Sequence, residues 1–242
     1  MAPLAGRETL GATDKASEGA GYADGTSTKG DDEVAPGRTY TYTWLIPERA
    51  GPGPTDPSSV LWMYHSHVNE PRDANSGLVG PIIVTRAGEA RADGTPNDVD
   101  REFVSMFVVI DENDSWYIDE NIRTYAGRPA TVHADDDEFQ ESNLMHTING
   151  FVFGNMPLPT MRVGEHVRWY LLGMGSEVDL HTPHWHGNVV LVNGMRTDVV
   201  ELLPASMKVA DMVPDNAGIW LYHCHVNDHI KAGMLARFRV TS

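Results

Sequence analysis

The chain is poor in sulfur-based crosslinks and in positive charge. Cys224 is its only cysteine, so no internal disulfide can form, and the count does not point to a redox compartment. No apolar run reaches the roughly 18 residues that a membrane-spanning helix needs. The opening Met1-Ala2-Pro3-Leu4-Ala5-Gly6-Arg7 lacks the apolar core of an export signal, so an exported protein is expected to have lost its signal. Lys and Arg number 18 against 34 Asp and Glu, a formal net charge of −16, which argues against nucleic acid or an anionic membrane surface as partner and favours small cationic substrates. The one dense acidic run, Asp135-Asp136-Asp137-Glu138, reads as a solvated loop. No long segment has a helical period, and no histidine precedes His65 although the chain has 11.

What remains is a pattern of short strands. A hydrophobic fraction of 41% is enough for a real core. Residues 1–37, rich in Gly, Ala, Ser, Thr and Asp, read as a flexible arm or the remnant of a first domain. Strands are expected at Thr39–Leu45, Val60–Tyr64 and Leu78–Val84, which gives an incomplete first domain over 38–87. A polar, Gly- and Pro-containing linker is expected at 88–100. The second domain, 101–242, opens with a strand at Glu102–Ile110 and continues through His166–Leu172, Val189–Val192, Met207–Val213 and Ile219–Tyr222. The fold class is all-β, in sandwiches or barrels.

The chemistry sits at His223-Cys224-His225-Val226-Asn227-Asp228-His229, followed by Gly233-Met234. A thiolate, two imidazoles and a weak axial thioether form the ligand set of a blue electron-transferring copper. Cys224, His229 and Met234 supply three of these, and His181-Thr182-Pro183-His184-Trp185-His186 offers the fourth. The chain also repeats itself. Trp62-Met63-Tyr64-His65-Ser66-His67-Val68-Asn69 parallels Trp220-Leu221-Tyr222-His223-Cys224-His225-Val226-Asn227, and Gly77-Leu78 parallels Gly233-Met234 with a two-residue offset. In the first copy Cys224 becomes Ser66, Met234 becomes Leu78, and the place of His229 falls near Pro71. Alternate strand residues share a face, so His65 and His67 aim together.

These motifs, over residues from about 15 to 242, resemble the multicopper oxidases of the laccase and ceruloplasmin superfamily, and in particular their two-domain laccase-like members. The resemblance implies two cupredoxin-like Greek-key domains, the first shortened, with up to four coppers. It assigns His181, Cys224, His229 and Met234 to the blue type 1 copper, His184 to a type 2 copper, and His65, His67, His186, His223 and His225 to a type 3 pair. Cys224 lies between His223 and His225, so one segment would join the electron-accepting copper to the oxygen-reducing cluster. Asp228 reads as a carboxylate supporting a metal-bound imidazole. His146, outside the ligand motifs, is expected to be structural. A phenol, aromatic amine or metal ion such as Fe(II) would give up single electrons, and four of them would reduce O2 to water.

The family cluster needs eight histidines, and the chain has six at matching positions. The first-domain His-x-His-Gly would fall on about Arg7 and Thr9. Either the N-terminal part is shortened, or the protein works with a defective or re-ligated cluster, for which His133 and His166 are the unassigned histidines. The resemblance also implies a homotrimer whose head-to-tail contacts bring His65 and His67 of one chain to His184, His186, His223 and His225 of the next, and an extracytoplasmic location. Two other readings stand beside the oxidase: a type 1 copper electron carrier with a crippled cluster, and a copper nitrite reductase. The His-Ser-His and His-Cys-His pairs disfavour the latter.

Overall fold

The structure, a computed structural model, describes residues 34–39, 46–66, 68–176 and 179–242. The strand expected at Thr39–Leu45, apart from Thr39, lies outside the described residues, as do His67 and positions 7 and 9. The elements are β1 (Ser59–His65), α1 (Glu70–Asn75), β2 (Val79–Thr85), β3 (Arg101–Asp111), α2 (Ile118–Tyr125), α3 (Asp137–Ser142), β4 (Leu144–Ile148), β5 (Thr160–Arg162), β6 (Val167–Gly173), β7 (Pro183–Trp185), β8 (Val190–Val192), β9 (Met195–Thr197), β10 (Met207–Met212), β11 (Gly218–Cys224), α4 (Asn227–Lys231) and β12 (Leu235–Thr241). Among the described residues no helix is long and apolar enough to cross a membrane.

Most strands belong to two sheets, of order β4-β3-β6-β10-β8-β9 and β5-β12-β11-β7, while β1 pairs with β2. Strand β10 pairs antiparallel with β6 and β8, β11 with β12 and β7, and β8 with β9, whereas β3–β6 and β5–β12 are parallel. Strand β6, Val-Arg-Trp-Tyr-Leu-Leu-Gly, is buried along its whole length, as a central strand covered on both faces must be. Strand β12 alternates instead: Ala236, Phe238 and Val240 point inward while Arg237 and Arg239 point out. The core between the two sheets gathers Phe107, Ile148, Met161, Trp169, Leu171, Trp185, Tyr222 and Phe238.

Packing divides the chain into two compact units whose segments interleave in sequence. One takes in Trp62–Ile82 and Asp111–Leu144 together with the described residues before Pro52; the other takes in Pro52–Leu61, Ile83–Ile110 and Met145–Ser242. This differs from consecutive domains at 38–87 and 101–242. The expected linker at 88–100 is a folded loop: Ala90 and Pro96 form a β-bridge, and the Arg91 guanidinium donates to the carbonyls of Pro96, Asn97 and Val99. A Pro- and Gly-bearing polar stretch has the composition of a linker, yet here its own hydrogen bonds close it into a compact turn.

The repeat survives as backbone geometry. In the larger unit, Cys224 N–H donates to the Met234 carbonyl (3.0 Å) and Met234 N–H to the His229 carbonyl (2.9 Å). In the smaller, Ser66 N–H donates to the Leu78 carbonyl (3.0 Å) and Leu78 N–H to the Asp73 carbonyl (2.9 Å). Each loop carries a short helix and a glycine in the left-handed region, Gly233 at φ 111° and Gly77 at φ 91°. The residue in the place of His229 is therefore Asp73, two positions beyond Pro71. Its carboxylate accepts from Ser66 Oγ (2.5 Å) and Trp116 Nε1 (2.7 Å), so a hydrogen-bonded pair stands where the other copy has a thiol and an imidazole.

Candidate metal centre

Strands β7 and β11 pair so that His184 lies opposite His223 and Pro183 opposite Cys224. Alternation then sorts the side chains. His184, His186, His223 and His225 stand together on one face, while Cys224 turns the other way and is fully buried. A single strand thus serves two sites on opposite sides of its backbone.

On the buried side, ligand atoms of His181, Cys224 and His229 lie within 4.8 Å of one another. Cys224 Sγ is 3.6 Å from His229 Nδ1 and accepts the Thr182 backbone N–H at 3.3 Å. His181 Nε2 lies 3.1 Å from the Met174 carbonyl, which fixes Nε2 as the protonated nitrogen and leaves Nδ1 bare. That Nδ1 is buried without a hydrogen-bond partner. A buried orphan acceptor is costly unless something coordinates it, so a metal ion fits this donor set. Met234 is fully buried, with its backbone bonded to both Cys224 and His229. Burial depresses the proton affinity of His181, and that of His229 is pushed down to about 4, first by burial and then by His181 and His146. Both imidazoles are neutral at ordinary pH, the state a ligand needs.

On the other side, His184, His186 and His223 also offer nitrogens within 4.8 Å of one another. His223 Nε2 lies 3.2 Å from His184 Nδ1 and 3.0 Å from His186 Nε2, while its own Nδ1 donates to the Cys224 carbonyl at 2.7 Å. The ring of His225 is 5.2 Å from that of His184 and 5.6 Å from that of His223. Burial first, then the neighbouring imidazoles, hold His184 and His223 below the usual histidine range. Four imidazoles on one face suit borderline transition metals such as copper.

Of the remaining expected residues, His65 ends β1 in the smaller unit, with Nδ1 3.2 Å from the Ser66 carbonyl and 3.5 Å from Glu70 Oε1. His166 bonds through Nδ1 to the Asp98 carbonyl (2.5 Å), and His133 is exposed; neither joins a metal-competent group among the described residues. Asp228 is exposed on α4. Two neighbours escaped the sequence reading. His146, expected to be structural, has its ring 5.1 Å from that of His229. Asp198 lies 3.5 Å from His184 Nε2. No local spacing announces either, because β4 and the turn before Val199 meet the site only through tertiary pairing.

Residues 127–242 match a family model described as Multicopper oxidase. The chain is 49% identical to Ferroxidase HEPHL1 of Mus musculus over 94% of its length, 48% identical to Hephaestin of Rattus norvegicus over 95%, and 45% identical to Ceruloplasmin of Homo sapiens over 90%. It spans only 20–21% of the length of each of these relatives. Among solved structures it is similar to one titled "Crystal structure of multicopper oxidase" (TM-score 0.53, 19% identity, 77% of this chain and 58% of that one). It is also similar to the Blue Copper Oxidase from Nitrosomonas europaea (TM-score 0.53, 20% identity, 76% of this chain and 57% of that one). At such identities these two likenesses concern the fold alone.

Proposed function

Because the chain belongs to the multicopper oxidase superfamily, with its cupredoxin-like β fold, we propose that it carries the blue-copper half of an oxidase and oxidises a metal ion, Fe(II) foremost, at the expense of O2. The observation that carries this reading is the two-sided use of β11, with Cys224 facing one donor set while its sequence neighbours His223 and His225 face the other. Bound copper would supply one-electron acceptance on the Cys224 side and four-electron reduction of O2 to water on the histidine side.

The chain's own residues would then divide the work. His181, Cys224, His229 and Met234 hold the electron-accepting metal. The Thr182 N–H, donating to Sγ, fixes the sulfur in place. The backbone between Cys224 and its two histidine neighbours is the short covalent route from one side to the other. His184 and the group His186, His223 and His225 hold type 2 and type 3 metals, joined by His65 and His67 of a neighbouring copy in a homotrimer. His146 stands beside His229, and Asp228 adds negative charge on α4. Fe(II) is preferred over phenols and aromatic amines for two reasons: the relatives reported above include one named a ferroxidase, and a net charge of −16 attracts a cation. An extracytoplasmic location goes with the same proposal.

A second reading rests on a specific observation. Only His184, His186 and His223 converge as a metal-competent group among the described residues of that face. A chain that cannot complete the cluster would be an electron carrier with type 1 copper alone. Copper content and O2 uptake separate the two. Metal-free protein reconstituted with copper should hold nearly four ions per chain and consume O2 faster with Fe(II) than with a phenol. About one ion per chain, a blue band and no O2 uptake would leave the carrier.

A further inference from the structure

Phe153 holds a backbone conformation that it should avoid. Its φ is +54°, in the left-handed region that a bulky aromatic seldom occupies, and the residue is 62% exposed, so no core packing explains it. The following Gly154 is also left-handed, at φ +74°. In an extended strand successive N–H groups point to opposite sides; helical-type torsions bring them round to the same side. Here the Phe153 N–H donates to the Gly233 carbonyl (2.8 Å) and the Gly154 N–H to the Leu235 carbonyl (2.9 Å). The two acceptors flank Met234. The Gly233 carbonyl also accepts the Leu235 N–H at 2.7 Å, so Met234 is the middle residue of a tight three-residue turn that Phe153 and Gly154 bracket from outside. The Phe153 ring lies over Gly233, where an added Cβ would meet its Cε2 and Cζ at 3.0 Å.

Glycine at 153 would make both hydrogen bonds without strain. What phenylalanine adds is a ring on the outer side of the Gly233-Met234 turn. We propose that Phe153 is a positioning residue for Met234: its strained backbone aims two N–H groups at the turn, and its ring keeps the turn pressed inward, setting how closely the thioether is presented to the Cys224, His181 and His229 donors. This deepens the copper reading given above and rests on it for its spectroscopic consequences. Axial-ligand placement is one lever by which a protein tunes such a site.

The test compares wild-type chain with Phe153→Gly and Phe153→Tyr, each full length, metal-free and copper-loaded. Phe153→Gly keeps both backbone donors and removes only the ring and the strain. In the metal-free chains, amide exchange at Met234 and Leu235 should be roughly tenfold faster in Phe153→Gly, with a thermal midpoint no lower than wild type. Loaded with copper, Phe153→Gly should show a shifted blue band and release copper to a chelator roughly tenfold faster, as loss of an outer support typically does. Phe153→Tyr should restore all three readouts. Unchanged exchange at those two amides overturns the clamp, and so does exchange that rises uniformly over the unit together with a lower thermal midpoint. A wild-type chain that stays colourless with copper would sink the type 1 assignment instead, and the amide exchange would still decide the clamp.

Discussion

Cys224 is a poor choice for simple packing at the end of β11. Its sulfur accepts a backbone N–H and faces two neutral imidazoles, a surrounding that an apolar side chain would leave unsatisfied. Cys224→Ser keeps the volume and removes the soft ligand. The blue absorption and all donor-dependent O2 uptake are expected to vanish while the far-ultraviolet dichroism stays that of the parent; a variant that remains blue would refute the ligand set. Protons compete at the same place. His229 titrates near 4 in the folded metal-free chain and near 6.5 in an unfolded one. Between those values the unfolded chain binds a proton that the folded chain does not, so stability should fall as pH drops from about 6.5 to about 4 and level off below. His181 and His223, shifted the same way, add to the slope. Urea midpoints of metal-free protein across that window give the measurement, and a flat profile contradicts the neutral, buried state of these imidazoles. At this scale the motif residues were legible, because ligand spacing within one strand and its following turn is local. Asp73 was not, because the two-residue offset between the copies hides which residue follows the turn. Nor was His146, 83 positions from His229 along the chain, since only tertiary packing brings the two rings together.

Elements that advertise themselves by alternation or by an apolar run came through with small shifts of their ends: Val60–Tyr64 is β1, Leu78–Val84 is β2, Glu102–Ile110 is β3 and His166–Leu172 is β6. Short pieces such as β5, β9 and the helices α1 to α4 are too brief to show a period and are held by neighbours rather than by propensity. Within β6, Arg168 breaks the apolar run and is only 1% exposed. Its guanidinium makes a two-pronged ion pair with Asp211 on β10 (2.7 and 2.9 Å) and donates to Ser58 and Ser59 at the root of β1. Deleting one member of such a network strands the other charges away from water. Arg168→Met is expected to cost about 3 kcal/mol, the low end for a broken buried pair because Asp98, a further partner, is half in solvent. Adding Asp211→Leu to it should recover part of that loss. Urea denaturation of the parent, the single and the double variant measures both; a single variant within about 0.5 kcal/mol of the parent would mean the network contributes only packing.

The interleaved division of the whole chain could not be read from composition, because contacts between segments as far apart as 62–82 and 111–144 leave no local mark. The same limit applies to the histidine-rich face, which offers four imidazoles from β7, β11 and the residues just after them and calls for partners from elsewhere. If those partners are His65 and His67 of a neighbouring copy in a head-to-tail ring, two inactive chains can repair one another. A His65→Ala/His67→Ala chain keeps the β7/β11 set, and a His184→Ala/His186→Ala chain keeps the His65/His67 set. Each alone should bind blue copper but take up no O2. After the two are unfolded and refolded together in equal amounts, random assembly places an intact pair of surfaces at about one interface in four. O2 uptake should then rise from nothing to about a quarter of the parent rate, because each cluster needs one surface from each of two chains. Refolded mixtures that stay inactive, at a stoichiometry in which both chains share the same particles, would exclude a cluster built between copies and leave the blue copper as the working part of the molecule.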